Sequence, residues 1–162
     1  MKPTNLKPGD ILFCTGHSFL SKAIMRTTKS KFSHVALYME VWGIPFVIDA
    51  QKDGIQFRMF DQWCDHYGYD IRAFRSSDPI NEKEFSLRAA TKAGFTAYDF
   101  PSLLLRHPIQ MLTGKWQDKK NTEKIMTCSE FVSWVYAIHR SYRMSPQDLY
   151  EWCLLHKFVE IK

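Results

Sequence analysis

The chain lacks the features that would place it outside ordinary single-domain globular proteins. Its 162 residues contain no run of about 18 apolar residues, which a membrane-spanning helix would need. No internal repeat, low-complexity segment or dense Lys/Arg run is present. The net charge of +5 is too small to indicate a nucleic acid or an anionic surface as a partner, and we expect no nucleic-acid partner. One domain over residues 1–162 is therefore expected.

The chain is also poor in cysteine patterns. It has neither a CxxC pair nor regular cysteine spacing, which argues against a disulfide framework and favours a reducing compartment. Cys64 and His66 form one pair of potential ligands, but no second pair at zinc-site spacing exists, so we predict no metal and no other cofactor. Residues 1–8 have no apolar core of the kind found in secretory signals, which predicts a cytoplasmic location. The four cysteines are Cys14, Cys64, Cys128 and Cys153.

Strand and helix patterns interleave without a regular βαβ rhythm, which predicts an α+β fold with a mostly antiparallel sheet. The apolar segment 95–114 is interrupted by Pro101 and Pro108, so short helical pieces or a lid are expected there. Strands are predicted at 11–13, 33–41, 46–50, 55–59, 69–74 and 158–161. Helices are predicted at 18–28, 60–67, 80–94 and 128–139, and from Pro146 onward.

One of these helices begins with a cysteine. Thr127 and Glu130 have the spacing of a capping box, and apolar residues follow at helical intervals, so Cys128 is predicted as the first helical residue. A thiol there experiences the positive end of the helix dipole and unpaired backbone N–H groups, which favour the nucleophilic thiolate. The alternative is that Cys128 is a small buried apolar residue, as most free cysteines are.

A cysteine nucleophile is usually activated by an imidazole, and His34 is the candidate that begins a predicted strand. Asp49 lies inside the next apolar strand. A turn over residues 42–45 would pair Asp49 with Tyr38, and a longer loop would pair it with His34; both registers place the two side chains on one face. The alternatives are a half-exposed strand histidine and an Asp49 that caps the turn near Asp53. A Cys–His–acid set acts on acyl groups.

With these residues, the chain resembles the circularly permuted branch of the NlpC/P60 papain-like superfamily, which includes YiiX/YaeF-like enzymes and relatives of lecithin:retinol acyltransferase. In that branch the histidine strand precedes the cysteine helix, as His34 precedes Cys128 here. The matching segments occur in family order over nearly the whole chain. They are residues 8–13, 33–38, 47–50 with 54–55, 94 with 98–100, 127–132 and 145–149.

The resemblance implies a permuted papain-like fold in which Cys128 is the nucleophile, His34 the general base and Asp49 the orienting residue. Relatives carry Glu, His or another polar residue at the position of Asp49. Because Asp is shorter, Gln51 or a water could complete the set instead. Tyr98 and Ser129 match positions that often lie near the cleft, so they and Gln51 are the expected substrate-binding residues, although a core Tyr and a capping Ser explain the first two equally well.

The activity that the resemblance implies is a cysteine peptidase or amidase that cleaves peptide or isopeptide bonds, with cell-wall peptides as the expected substrate. One alternative is a lipid-directed acyltransferase or thioesterase, in which the apolar segment 100–116 would be a lipid-facing lid or plain core. Another is a binding module on the same fold without chemistry. A wall-cutting enzyme without a signal could be released by lysis, if phage-encoded, or could recycle wall peptides in the cytoplasm.

Overall fold

The computed structural model describes residues 3–67, 70–98, 125–139 and 144–161, except for the side chains of Leu20, Tyr98 and Ile125. These ranges contain five helices and eight strands. The helices are α1 (Phe19–Thr27), α2 (Phe60–Tyr67), α3 (Glu82–Ala90), α4 (Cys128–Val135) and α5 (Pro146–Leu155). The strands are β1 (Ile11–Cys14), β2 (His34–Val41), β3 (Ile44–Gln51), β4 (Gly54–Met59), β5 (Ile71–Ser76), β6 (Ala97–Tyr98), β7 (Ile125–Met126) and β8 (Phe158–Ile161).

Six of these strands form one sheet in the order β4-β3-β2-β1-β5-β8, and every neighbouring pair is antiparallel. The α+β class and the antiparallel sheet predicted from the sequence are therefore confirmed. Strands β6 and β7 form a separate, parallel pair, which the sequence patterns did not predict. Residues 99–124, which include most of the predicted lid, lie outside the described ranges, and Ala97 and Tyr98 of that segment form β6.

The sheet is covered on both faces, because alternate residues of its central strands feed two apolar clusters. Leu37 and Phe13 point to the side on which α4 packs, here called the α4 face. Ala36 and Leu12 point to the opposite side, where α2 contributes Phe60 and Trp63; this is the α2 face. The first six residues of β2 are consequently all buried. His34 is 5% exposed, so the half-exposed strand histidine considered above is wrong.

The β2–β3 hairpin closes through a turn of two residues, Trp42 and Gly43, which was predicted to span residues 42–45. Both have positive φ angles, 52° and 76°, as a type I′ turn requires. Val41 then pairs with Ile44. The observed register pairs Asp49 with Ala36, which lies between Tyr38 and His34, the two partners that the sequence allowed.

Two helices end earlier than their sequence patterns predict. Helix α3 ends at Ala90, and Gly94, the predicted C-terminal glycine, instead donates its N–H to the carbonyl of Ile55 in β4. Helix α4 ends at Val135, because Ala137 adopts a left-handed conformation with φ of 57°. No helix within the described ranges has the length and apolar character needed to cross a bilayer.

Candidate functional site

The site is built around a carboxylate that has no contact with solvent. Asp49 is 0% exposed and lies two residues before the end of β3, opposite Ala36 of β2. Because side chains alternate along a strand, Asp49 and His34 lie on the same face, two positions apart along β2. Oδ2 of Asp49 lies 2.9 Å from Nε2 of His34. The shorter Asp side chain therefore reaches the imidazole.

Three further side chains donate to the same carboxylate. Oδ2 accepts from Nε2 of Gln51 at 2.7 Å and from the indole Nε1 of Trp63 at 2.8 Å, and Oδ1 accepts from Nε of Arg58 at 2.9 Å. Burial raises the pKa of Asp49, but the hydrogen bond and charge of His34, with smaller contributions from Gln51 and Arg58, outweigh it and lower the pKa to about 2. Asp49 is therefore an anion at neutral pH.

An ionised carboxylate can only accept hydrogen bonds, so the neutral His34 ring must carry its proton on Nε2. Nδ1 is then the nitrogen left with a lone pair, and Cys128 lies close enough to His34 to influence the pKa of the imidazole. Burial lowers the pKa of His34, but the charge of Cys128 and the hydrogen bonds to Asp49 and Cys128 outweigh it and raise the pKa to about 10. The charge of Asp49 thus favours the protonated form of His34.

Cys128 is the first residue of α4, and the predicted capping box around it is confirmed. Oγ1 of Thr127 accepts from the N–H of Glu130 at 3.3 Å, and the Glu130 carboxylate accepts from the N–H of Thr127 at 2.8 Å. The apolar face of α4 packs against β2 and β3, which brings the start of the helix to His34. Cys128 is 1% exposed, so reaction at its sulfur requires displacement of the atoms that cover it.

Helix α2 supplies two site residues that the sequence did not reveal. Trp63 bonds Asp49, and Tyr67, one turn later on the same helix face, stacks on His34 with ring centroids 5.0 Å apart and an interplanar angle of 4°. Burial, followed by the nearby charge of Asp49, raises the pKa of Tyr67, so the phenol stays neutral. The two rings fix the plane of the imidazole from the α2 face.

Arg58 was also missed, although the sequence contained a signal for it. With the turn predicted at Asp53-Gly54, β4 pairs antiparallel with β3 and places Arg58 opposite Val47, on the face of Asp49. The guanidinium bridges two carboxylates, since Nε donates to Asp49 and Nη2 to Asp53 at 2.6 Å. An arginine two positions beyond the partner of a buried aspartate is thus a register prediction that could have been made.

The structure treats the three expected substrate-binding residues differently. Gln51 completes the shell of Asp49 rather than bonding His34 in its place. Ser129 is buried, and its hydroxyl donates to the carbonyl of Met144 at 2.6 Å, which joins α4 to the residues before α5. The backbone of Tyr98 lies in β6, but its side chain is outside the described part of the structure.

A cavity of about 400 Å³ adjoins the side chains that surround the Asp49 carboxylate. Three of the four donors to Asp49 line it, namely Gln51, Arg58 and Trp63, together with His66 of α2. Arg58 is 26% exposed there, so its charge is in partial contact with solvent, whereas Asp49 itself is sealed. Arg58 thus connects the buried pair of Asp49 and His34 to the solvent-exposed surface.

Comparison with known proteins identifies the fold. No known family profile matches the chain, and no curated protein matches it in sequence. Among solved structures, the chain is similar to the metalloprotein YiiX of Escherichia coli O157:H7, with a TM-score of 0.63 and 20% sequence identity. The superposition covers 99% of this chain and 90% of that one. The fold is therefore YiiX-like.

The description of that neighbour as a metalloprotein prompts a test of whether this site could hold a metal. Both oxygens of Asp49 already accept hydrogen bonds, and one of the donors is the cationic Arg58, which opposes a second cation. Nε2 of His34 is likewise committed to Asp49. No cluster of three or more His, Cys, Asp or Glu side chains suited to a metal ion occurs among the described residues. The residues of this site do not fit a metal.

Proposed function

We propose that the protein is a cysteine hydrolase of amide bonds, built on a circularly permuted papain-like fold of the NlpC/P60 type. Cys128 is the nucleophile, His34 the general base and Asp49 the orienting residue. The observation that carries the proposal is the 2.9 Å contact between Nε2 of His34 and Asp49, because it leaves Nδ1 as the imidazole nitrogen that can take up the proton of Cys128. The same order of roles defines a nucleophile–base–orienter triad.

The chemistry follows from these positions. The Cys128 thiolate, whose proton is held on Nδ1 of His34, adds to the substrate carbonyl to form a tetrahedral oxyanion. The backbone N–H of Cys128, which has no intrahelical acceptor at the first position of α4, is available to bond that oxyanion. His34 then protonates the leaving amine as the C–N bond breaks, which leaves a thioester on Cys128. Water, deprotonated by His34, cleaves the thioester and releases the acid and the free thiol.

The substrate class proposed is a cell-wall peptide, on the basis of the resemblance described from the sequence. The YiiX-like fold and the Cys128–His34–Asp49 arrangement support an enzyme of this group and are equally compatible with an acyl lipid as the substrate. Purified peptidoglycan fragments and acyl lipids, incubated with the protein and analysed by mass spectrometry, distinguish the two. Turnover of acyl lipids alone would replace the amide assignment by acyl transfer or thioester hydrolysis.

The catalytic assignment is tested with a matched pair of variants. Cys128→Ala is expected to reduce turnover at least about 1,000-fold, as removal of a nucleophile does in other triads. Cys153→Ala is the control, because Cys153 is also fully buried but lies in α5, away from His34. Asp49→Asn should cost on the order of 10,000-fold through the wrong imidazole tautomer. Equal turnover by C128A and C153A would contradict the assignment.

A further inference from the structure

Arg58 connects the buried site to the surface through a continuous chain of hydrogen bonds. Nη2 of Arg58 donates to Oδ1 of Asp53 at 2.6 Å, and Nε of Arg58 donates to Oδ1 of Asp49 at 2.9 Å. The other oxygen of Asp49, Oδ2, lies 2.9 Å from Nε2 of His34. Asp53 lies in the β3–β4 turn with half of its side chain exposed, and the guanidinium lines the 400 Å³ cavity. The guanidinium therefore lies one carboxylate away from the proposed base.

We propose that Arg58 is a positioning residue that sets the pH at which the Cys128–His34 pair becomes reactive, by partly neutralising Asp49. This inference rests on the proposed cysteine hydrolase function. Nε of the guanidinium contacts Oδ1 of Asp49, and Nε2 of the imidazole contacts Oδ2. The charges of Arg58 and Asp49 therefore both act on His34 at short range. A fixed positive charge at that distance makes every proton in the cluster easier to remove, whichever atom carries it.

The other titratable groups of this cluster bring no fixed positive charge. Burial, with the charge of Asp49 second, raises the pKa values of Cys14 and Tyr67, which keeps both neutral. The charge of Arg58 is therefore not duplicated by these neighbours. The groups that face His34 or its immediate partners, besides Asp49 and Arg58, are Cys14 of β1, Tyr67, Cys64 and His66 of α2, Cys128 of α4, Asp53 of the β3–β4 turn and Asp70 before β5.

The test measures alkylation of Cys128 by iodoacetamide as a function of pH, resolved from the other cysteines by peptide mass spectrometry. Arg58→Gln should move the pH of half-maximal alkylation upward by roughly 0.5 to 1 unit, since the charge of Arg58 acts on the pair across one carboxylate and through a partly solvated path. Arg58→Lys, which keeps the charge, should remain within a few tenths of a unit of the wild type. A shift in R58K as large as that in R58Q would overturn the proposal.

Arg75 offers a matched control elsewhere in the sheet. It forms the same kind of pair, with Nε and Nη2 on the buried carboxylate of Asp10, and it is 25% exposed. Asp10 precedes β1, at the opposite end of that strand from the pair Cys14 and His34. Arg75→Gln should lower stability about as much as R58Q and leave the alkylation profile unchanged. Equal shifts in the two variants would mean that lost stability, not local charge, moves the profile.

If R58Q does not fold, a variant that removes a negative charge instead of a positive one still tests the proposal. Asp53→Asn removes a negative charge from an exposed turn position, and the profile should move to lower pH by less than the R58Q shift. An upward shift in D53N would overturn the role of Arg58. A wild-type Cys128 that reacts only after unfolding would overturn the hydrolase proposal itself. A reactive wild type with identical profiles in R58Q, R58K and D53N would overturn only the inference about Arg58.

Discussion

At the scale of single residues, Asp49 joins four elements of the fold. Its donors come from β2, β3, β4 and α2, and each of them loses a buried acceptor if the carboxylate is removed. An unpaired buried donor costs about 1–3 kcal/mol, and more when it is charged. The same side chain therefore contributes to stability as well as to the proposed chemistry, and substitutions at Asp49 must be assayed for both.

Asp49 should make stability depend on pH in the acid range. Its pKa of about 2 in the folded chain lies below the ordinary value of 3.8, so ionisation stabilises the fold above pH 4 and this contribution disappears as pH falls through 2. The difference corresponds to about 2 kcal/mol, of which roughly half is lost by pH 3. The gap in unfolding free energy between wild type and Asp49→Asn should therefore narrow by about 1 kcal/mol from pH 7 to pH 3.

Denaturant titrations at the two pH values provide this measurement. Asp65→Asn is the control for loss of one carboxylate, because Asp65 is exposed on the same helix that carries Trp63. A gap between wild type and D49N that stays constant from pH 7 to pH 3 would show that the folded and unfolded chains bind the Asp49 proton equally.

How far the residues of the site could be predicted depends on whether their positions are local in sequence. His34 and Asp49 were found because strand alternation assigns both to one face for either register considered. Trp63 and Tyr67 could not be found, because nothing in residues 60–67 states which face of the sheet the helix covers. The hydrogen bond of Ser129 could not be predicted, because its partner, the carbonyl of Met144, is distant in sequence.

At the scale of elements, the two capping boxes are the local features that the sequence defines best. Thr127 and Glu130 begin α4, and Ser145 and Asp148 begin α5 with a proline at the first position. Each uses a side-chain oxygen and a carboxylate three residues later, so the pattern is complete within four residues. Helix ends were predicted less well, because the end of α4 depends on the left-handed Ala137 and not on a glycine or proline.

The two boxes provide a comparison between stability and reactivity. Thr127→Ala should lower the free energy of unfolding by about 1 kcal/mol, and Ser145→Ala by a similar amount, since each removes one cap. Only T127A should also slow the alkylation of Cys128, because it loosens the first turn of the helix that presents the thiol. Denaturant titration and iodoacetamide kinetics measure the two effects, and an equal slowing in S145A would show that global stability controls access.

At the scale of the whole molecule, one sheet separates two apolar clusters, and the site lies where the sheet meets both. His34 is the first residue of β2, where its ring stacks on Tyr67 on the α2 face and lies near enough to Cys128 of α4 for that residue to influence its pKa. The sequence predicted an antiparallel sheet but not the order of its strands. Placement of β1 between β2 and β5 depends on packing between distant segments, which no local pattern records.

Gly54 is the point at which the large sheet touches the segment that leads into β6. Its φ is 93°, and a Cβ at this position would lie 2.7 Å from the carbonyl oxygen of Thr96. Gly43 also has a positive φ, but a Cβ there would meet nothing within 4 Å. Gly43→Ala should therefore cost only the backbone term, about 1–2 kcal/mol, and Gly54→Ala should cost at least about 1 kcal/mol more.

Denaturant titration of both variants measures the difference between these two glycines. Because Thr96 also accepts the N–H of Ile55, the clash in G54A should weaken that hydrogen bond, and hydrogen exchange at the Ile55 amide should become faster. Equal destabilisation in G43A and G54A would show that the Thr96 segment moves aside at no cost.

His34 and Asp49, the proposed base and its acid partner, lie on two strands joined by a two-residue turn. Cys128 lies on a helix much later in the sequence. During synthesis the β2–β3 hairpin leaves the ribosome long before α4. A nascent or truncated polypeptide would therefore contain His34 and Asp49 without Cys128. Such a chain lacks the proposed nucleophile until α4 has been made, a consequence of the order of the elements along the sequence.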